Sequence, residues 1–168
     1  MWFILMKKYF FDKNSAGTTN FELVEIAQKN NIDIKIDDIM MMDMLKDIRL
    51  KSRHNFILNL QDTGQSGTHW FAILIRGKKC LVVDSFGCMM HRDVIRFCMK
   101  NGLKLAYSKY ICQELKSVGC GLYSLQAISY LQNSTAGTLY DNANDYINLY
   151  GPLKEKENEN IVMEGLVI

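Results

Sequence analysis

A cysteine between two glycines, Gly119-Cys120-Gly121, opens an apolar-periodic segment of the chain. Apolar residues then recur at three- and four-residue spacing, which predicts a helix buried along one face. These residues are Leu122, Leu125, Ile128 and Leu131. A thiol in the first turn of a helix lies near unpaired N–H groups and the positive end of the helix dipole, and both favour the thiolate. The segment therefore predicts a sulfur nucleophile, with glycines that leave room for a substrate backbone. The alternative is a small, buried cysteine with only a packing role.

Two further residues fall where a sheet would bring them to the same edge. His69 starts a predicted strand over residues 68–76, and Asp84 ends the returning strand of the same hairpin, over residues 80–84. The start of one hairpin strand lies beside the end of the other. A carboxylate there can bind one imidazole nitrogen while the other faces Cys120. A thiolate–imidazolium pair of this kind is a strong nucleophile near neutral pH.

Gln113 lies a short loop before the cysteine and could donate its side-chain amide to the oxyanion of a tetrahedral intermediate, together with the cysteine N–H. Each of these residues also has a simpler interpretation. His69 could be a satisfied core histidine, Asp84 a turn cap and Gln113 an ordinary surface residue. His54 and His91 compete for the catalytic role, but neither has an obvious carboxylate on a paired strand. The joint occurrence of the set favours catalysis.

The rest of the pattern predicts helices around a central sheet. Strands are predicted over residues 2–6, 56–60, 68–76, 80–84, 103–107 and 110–112, with an extended segment over 32–36. Helices are predicted over residues 19–30, 38–50, 93–101, 120–131 and 138–150. The fold class is therefore α+β, one domain with a central mixed or antiparallel sheet flanked by helices. We expect this domain to span residues 1–153, followed by a tail over 154–168 that is first charged and solvated, then apolar.

Length and composition fit an ordinary globular protein. The chain has 168 residues, of which 48% are hydrophobic and 23% charged, and this suits one compact domain. A net charge of +2 and a pI near 8.2 are too weakly basic to predict nucleic-acid binding. The opening apolar run over residues 2–6 is too short for a membrane span and has no basic region before it. We therefore expect no membrane association and no secretion.

The number and spacing of the cysteines predict neither disulfides nor a metal site. The chain has five cysteines and no C-x-x-C pair. Without a secretory signal, these should be reduced thiols in an intracellular setting. Cys88-x-x-His91 is the nearest approach to metal-ligand spacing, and no second pair matches it. We expect no metal.

Three motifs together resemble a known family of proteases. They are Gly67-Thr68-His69-Trp70, Asp84-Ser85-Phe86-Gly87, and Gln113 followed by Cys120-Gly121-Leu122-Tyr123. The set resembles the adenovirus-type cysteine proteases, and most closely their relatives in virophages, Maverick/Polinton elements and large DNA viruses. The order His, acid, Gln, Cys is shared with SUMO-specific proteases and is the reverse of that in papain. The resemblance covers about residues 55–131.

The resemblance implies a fold and a set of roles. The fold would be that of adenain and the ubiquitin-like-protein proteases. Cys120 would be the nucleophile, His69 the general base and later acid, Asp84 the orienting acid and Gln113 an oxyanion donor. The protein would cleave viral capsid or core precursors at glycine-containing sites, inside the host cell where virions assemble, and be packaged with them.

The adenovirus enzyme is stimulated by DNA and by a peptide cofactor. The weak positive charge of this chain argues against DNA, and nothing in the sequence marks a peptide site. We expect no cofactor, and we expect a monomer whose partners are its precursor substrates. Two other functions stay open: a protease that removes a ubiquitin-like modifier, and an inactive relative that serves as a scaffold.

The C-terminal segment contains a sequence that the protein's own active site could bind. Met163-Glu164-Gly165-Leu166 partly matches the large-apolar, any, glycine pattern that the family cuts after. The preceding charged run could act as a tether that delivers this segment to the active site. Truncation after Lys156 should then raise activity. The alternative is a tail that packs on the surface or is disordered.

Overall fold

A five-stranded mixed sheet forms the centre of the protein. The structure, a computed structural model, describes residue 11 and residues 17–114, 116–150 and 154–168. The strands are β1 (Ile39–Met41), β2 (Arg53–Asn59), β3 (Trp70–Arg76), β4 (Lys79–Val83) and β5 (Lys104–Tyr107). The helices are α1 (Asn20–Lys29), α2 (Arg92–Lys100), α3 (Cys120–Leu131), α4 (Leu139–Ile147) and α5 (Glu155–Glu164). Two 3-10 helices, Ile36–Asp38 and Met42–Asp47, flank β1. The strand predicted over 2–6 lies outside the described residues.

The strands lie in the sheet in chain order. β2, β3 and β4 form an antiparallel meander, and the outer strands β1 and β5 run parallel to their neighbours. Ala72 pairs with Val83 in the β3–β4 hairpin. His69 directly precedes β3 and Asp84 directly follows β4, so the two residues lie at one edge of the sheet, as the hairpin pattern predicts. The predicted α+β fold class is confirmed.

Both faces of the sheet are covered, which explains the almost unbroken apolar runs of β3 and β4. On β3, Ala72 and Leu74 pack in one core with α1, α3, α4 and α5. Phe71, Ile73 and Ile75 point to the other face and pack in a second core with α2 and the segment Met40–Leu45. This alternation follows from the period of two along a strand.

Helix α3 crosses the first face and packs chiefly against β3. A buried cation lies at its C-terminal end, where Arg76 donates from Nε to the Ser134 carbonyl (2.9 Å) and from Nη2 to the Gln132 carbonyl (3.0 Å). Burial and the nearby charge of Arg53 lower the pKa of Arg76 to about 10, so the guanidinium stays charged at neutral pH. A cation at this end complements the helix dipole. Arg76 thus anchors the helix whose first residue is Cys120.

Helix α1 begins with a capping box. The Glu22 N–H donates to Thr19 Oγ1 (3.2 Å), and the Thr19 N–H donates to Glu22 Oε2 (2.8 Å). These two bonds satisfy N–H groups that a helix start leaves without partners.

Two predicted elements are wrong. Residues 38–50 do not form one helix; they form the short strand β1 and the 3-10 helix Met42–Asp47. Parallel pairing of Ile39–Met41 with Ile57–Asn59 outweighs the local helical preference of a methionine-rich run. Residues 110–112 are not a strand, because the Cys112 N–H leaves the sheet ladder and donates to the Ser85 carbonyl (3.0 Å).

The last fifteen residues pack on the protein rather than extending into solvent. Val162, Met163 and Leu166 are buried in the same core as α3. The prediction that the charged part is solvated is wrong for Asn158 and Glu159, which are buried. Asn158 Nδ2 donates to the Cys112 carbonyl (3.1 Å), directly before Gln113. Within the described part of the chain, no helix is both long and apolar enough to span a bilayer.

Candidate active site

His69 and Asp84 form a buried pair at the edge of the sheet. His69 Nε2 lies 2.7 Å from Asp84 Oδ1, and the two residues are 4% and 7% exposed. The Asp84 carboxylate also accepts the Phe86 N–H (2.8 Å) and the Cys88 N–H (3.3 Å). Asp84 therefore has both roles considered from the sequence, since it binds the imidazole and caps the turn that follows β4.

The pair is an ion pair at neutral pH. Burial raises the pKa of Asp84, but the hydrogen bond and charge of His69 and the two backbone N–H groups outweigh this and lower it. Burial lowers the pKa of His69, but hydrogen bonding to Asp84 and Cys120, and the charges of both, raise it to about 9. An imidazolium between a carboxylate and a sulfur is therefore the resting state that the site favours.

Cys120 is the first residue of α3, and its sulfur lies beside the start of β3. The Trp70 N–H donates to Sγ at 3.4 Å. Nδ1 of His69 is buried and has no hydrogen-bond partner among the described residues, and the charge of Cys120 is one of the causes that raise the pKa of the ring. The structure thus brings Cys120, His69 and Asp84 together in the predicted order.

The flanking glycines serve packing rather than substrate access. A Cβ on Gly119 would overlap the Phe11 ring, and one on Gly121 would overlap Thr18 Oγ1 and approach Leu23 Cδ2. The expectation that they leave room for a substrate backbone is therefore wrong, because that space is occupied by the protein itself. Close packing here holds the first turn of α3 against the segment that precedes α1.

Gln113 is buried, at 1% exposure, so it is not an ordinary surface residue. Its Nε2 donates to the Ser117 carbonyl (2.8 Å), and its Oε1 accepts from the Ser85 hydroxyl (2.5 Å). The amide nitrogen carries two protons, so one remains for another acceptor. Ser117 lies three residues before Cys120, so the amide is fixed to the loop that leads to the nucleophile.

A cleft of about 820 Å³ opens beside Cys120. One part of its wall is Gly17–Asn20, and another is formed by Ile36, Ile39 and the methionines of β1 and the turn after it. Phe86 also lines the cleft, and its ring lies over the His69 ring at a centroid distance of 4.6 Å, where it shields the ion pair from water.

Searches against protein-family models and curated proteins find no match. Among solved structures, two crystal structures of the ASFV pS273R protease are similar to this chain. One has a TM-score of 0.55 and 17% identity, and the other, a TM-score of 0.56 and 20% identity. Each likeness covers 93% of this chain and 70% of the viral protein. The chain has the ubiquitin-like-protease fold. At this level of sequence identity the similarity shows the fold, and the chemistry follows from the residues of the site.

The ubiquitin-like-protease fold of this chain contains a second histidine–aspartate pair. His54 Nε2 lies 3.0 Å from Asp38 Oδ1, and Asp38 belongs to the 3-10 helix Ile36–Asp38 rather than to a strand paired with β2. His54 lies near the start of β2, whereas the end of β2 at Asn59 pairs with Trp70 beside the site. His91 caps α2 by accepting the Asp93 N–H. Among the residues with described positions, no group of three His, Cys, Asp or Glu side chains could hold a metal.

Removal of the Asp84 charge should move the basic limb of the pH–activity profile. An enzyme that depends on the imidazolium of His69 should lose kcat/KM as the pH rises through about 9. Asp84 helps to raise the pKa of His69; in Asp84→Asn the imidazolium should therefore lose its proton at lower pH, and the basic limb should shift downward. Peptide hydrolysis measured from pH 5 to 10 tests this, and an unmoved basic limb would show that Asp84 does not set the His69 pKa.

Proposed function

We propose that the protein is a cysteine endopeptidase with Cys120 as nucleophile, His69 as general base and acid, and Asp84 as the residue that orients His69. The observation that carries the proposal is the buried His69–Asp84 ion pair beside the sulfur of a helix-terminal cysteine, at the wall of an open cleft. A histidine with only a packing role would not need a buried carboxylate on one ring nitrogen while the other ring nitrogen is left without a partner.

The proposed reaction has two steps. The Cys120 thiolate attacks the peptide carbonyl carbon, and the oxyanion that forms accepts hydrogen bonds from the Cys120 N–H and Gln113 Nε2. The imidazolium of His69 gives its proton to the amine as the C–N bond breaks, which leaves a thioester. His69 then takes a proton from water, the hydroxide attacks the thioester, and the acid product leaves as the thiolate returns.

We propose viral capsid or core precursors as substrates, cut at glycine-containing sites during virion maturation. Two observations support this class. The fold is that of a viral protease, and the His–Trp, Asp-Ser-Phe-Gly and Cys-Gly-Leu-Tyr motifs resemble those of virus-encoded maturation proteases. The protein would then act inside the host cell where virions assemble, as a monomer, and be packaged in the virion.

Alkylation by iodoacetamide at pH 6 tests the nucleophile. An ordinary thiol with a pKa near 8.5 is only about 0.3% thiolate at this pH. In the proposed mechanism the His69 imidazolium stabilises the Cys120 thiolate, so Cys120 should label faster than an ordinary thiol. Peptide mapping after partial labelling gives the rate at each cysteine.

Cys88 is the internal control, because it is exposed and its pKa is raised by partial burial and by the charge of Asp84. In the wild type Cys120 should react before Cys88, and in His69→Ala this preference should disappear. If Cys120 is inert while Cys88 reacts, the proposed nucleophile is wrong.

A further inference from the structure

Ser85 directly follows Asp84 and contacts the segment that carries Gln113. Its hydroxyl donates to Gln113 Oε1 at 2.5 Å. Its backbone carbonyl accepts the N–H groups of Cys112 (3.0 Å) and Gln113 (3.2 Å). Ser85 is 5% exposed, so these bonds lie in the interior, where a lost partner is not readily replaced by water.

The contacts decide which way the Gln113 amide points. The Ser117 carbonyl can only accept a hydrogen bond, so the amide nitrogen must face it. The amide oxygen then faces Ser85, whose hydroxyl is the donor that it meets. With both ends fixed, the second proton of Nε2 has a defined direction. Without the Ser85 hydroxyl, the buried oxygen would lack this donor, and the amide could rotate to find another.

We propose that Ser85 is a positioning residue for the oxyanion donor: its hydroxyl locks the Gln113 amide with an N–H available to the oxyanion. This inference rests on the proposed function. It means that two adjacent residues serve two parts of the machinery, since Asp84 orients the imidazole and Ser85 orients the amide. The turn after β4 therefore sets the geometry of both general acid–base catalysis and oxyanion stabilisation.

Ser85→Ala should lower kcat for peptide hydrolysis by about 10- to 100-fold and leave KM nearly unchanged. The complete loss of one oxyanion donor costs about 10²- to 10³-fold in kcat, and a mispositioned donor should cost part of that. Ser85→Thr keeps the hydroxyl and should restore most of kcat. Ser108→Ala is the matched control, because Ser108 is also buried but its hydroxyl accepts the Tyr110 N–H instead; its kcat should match the wild type.

A double-mutant cycle separates positioning from a general packing effect. In a Gln113→Ala background, Ser85→Ala should cause little further loss of kcat, because the group that it positions is already gone. Additive losses in the cycle would overturn the proposal.

Affinity for a peptide aldehyde gives a second readout, because the aldehyde forms a tetrahedral adduct with an oxygen in the oxyanion site. Its affinity should fall in Ser85→Ala by about the same factor as kcat. Iodoacetamide alkylation of Cys120 forms no oxyanion, so its rate should not change. An unchanged aldehyde affinity, or an equal loss of alkylation and affinity, would overturn the proposal. If the wild type binds the aldehyde at Cys120 but cuts no peptide, the proposed function fails. The ratio of the aldehyde affinities of the wild type and Ser85→Ala still tests the role of Ser85.

Discussion

His69→Ala is expected to lower kcat for peptide hydrolysis by about 10³- to 10⁴-fold. The substitution removes the proton donor for the leaving amine and the cation that stabilises the thiolate. It also leaves the Asp84 carboxylate buried without its ion-pair partner, which is costly for folding. His69→Gln keeps an N–H donor for Asp84 and should fold better while losing as much activity. If His69→Gln abolishes hydrolysis but unfolds at the same temperature as the wild type, the loss of activity comes from the missing imidazole and not from lower stability.

His54→Ala is the matched control for His69. Both histidines are largely buried and hydrogen-bonded to an aspartate, but only His69 interacts with Cys120. His54→Ala should keep kcat within a few-fold of the wild type. An equal loss of kcat in both variants would mean that the effect is structural and that His69 has no special role.

Truncation after Lys156 is expected to destabilise the protein rather than activate it. It removes Val162, Met163 and Leu166 from the core, and each buried side chain of this size contributes about 1.5–3 kcal/mol. The summed loss, on the order of 5 kcal/mol or more, is comparable with the whole stability of many domains. It also removes the Asn158 bond to the Cys112 carbonyl, beside Gln113. Urea unfolding should show the loss, and activity should fall with it.

The stability and the activity of the truncated protein together distinguish a folding role of the C-terminal segment from self-inhibition. None of residues 154–168 lines the cleft at Cys120, so the structure does not support the idea that this segment occupies the active site. Val167→Ala, at an exposed position, should leave stability almost unchanged. Higher activity in a stable truncated protein would restore the self-inhibition hypothesis.

The strand pattern was enough to predict where His69 and Asp84 meet. Apolar runs of the right length with a turn between them specify a hairpin, and a hairpin places the start of one strand beside the end of the other. The same local rules predicted the buried helix that starts at Cys120. These features depend on neighbours within one or two elements, so the sequence alone carries the information.

Other features depend on contacts between distant segments, and local patterns do not contain them. The pairing of β1 with β2 converts a methionine-rich run from a predicted helix into a strand. The charged run in the first half of α5 looked solvated, yet Asn158 is buried against a carbonyl 46 positions earlier in the chain. The Ser85–Gln113 bond likewise joins two loops 28 positions apart. A serine in a turn can have several local roles, so the residues around Ser85 do not indicate its hydrogen bond to Gln113.

The methionines of the cleft bear on how the protein and its substrates could change together over evolutionary time. Met40, Met41 and Met44 line the cleft, alongside Trp70, whose Nε1 is fixed to the Thr18 carbonyl (3.0 Å). Unbranched thioether side chains refill gaps of different shape at little cost, whereas a hydrogen-bonded indole does not. Residues of a bound peptide that face the methionines can therefore diverge between substrates without a matching change in the enzyme. Under the proposed function, substrate residues that face the fixed indole should vary less than those that face the methionines.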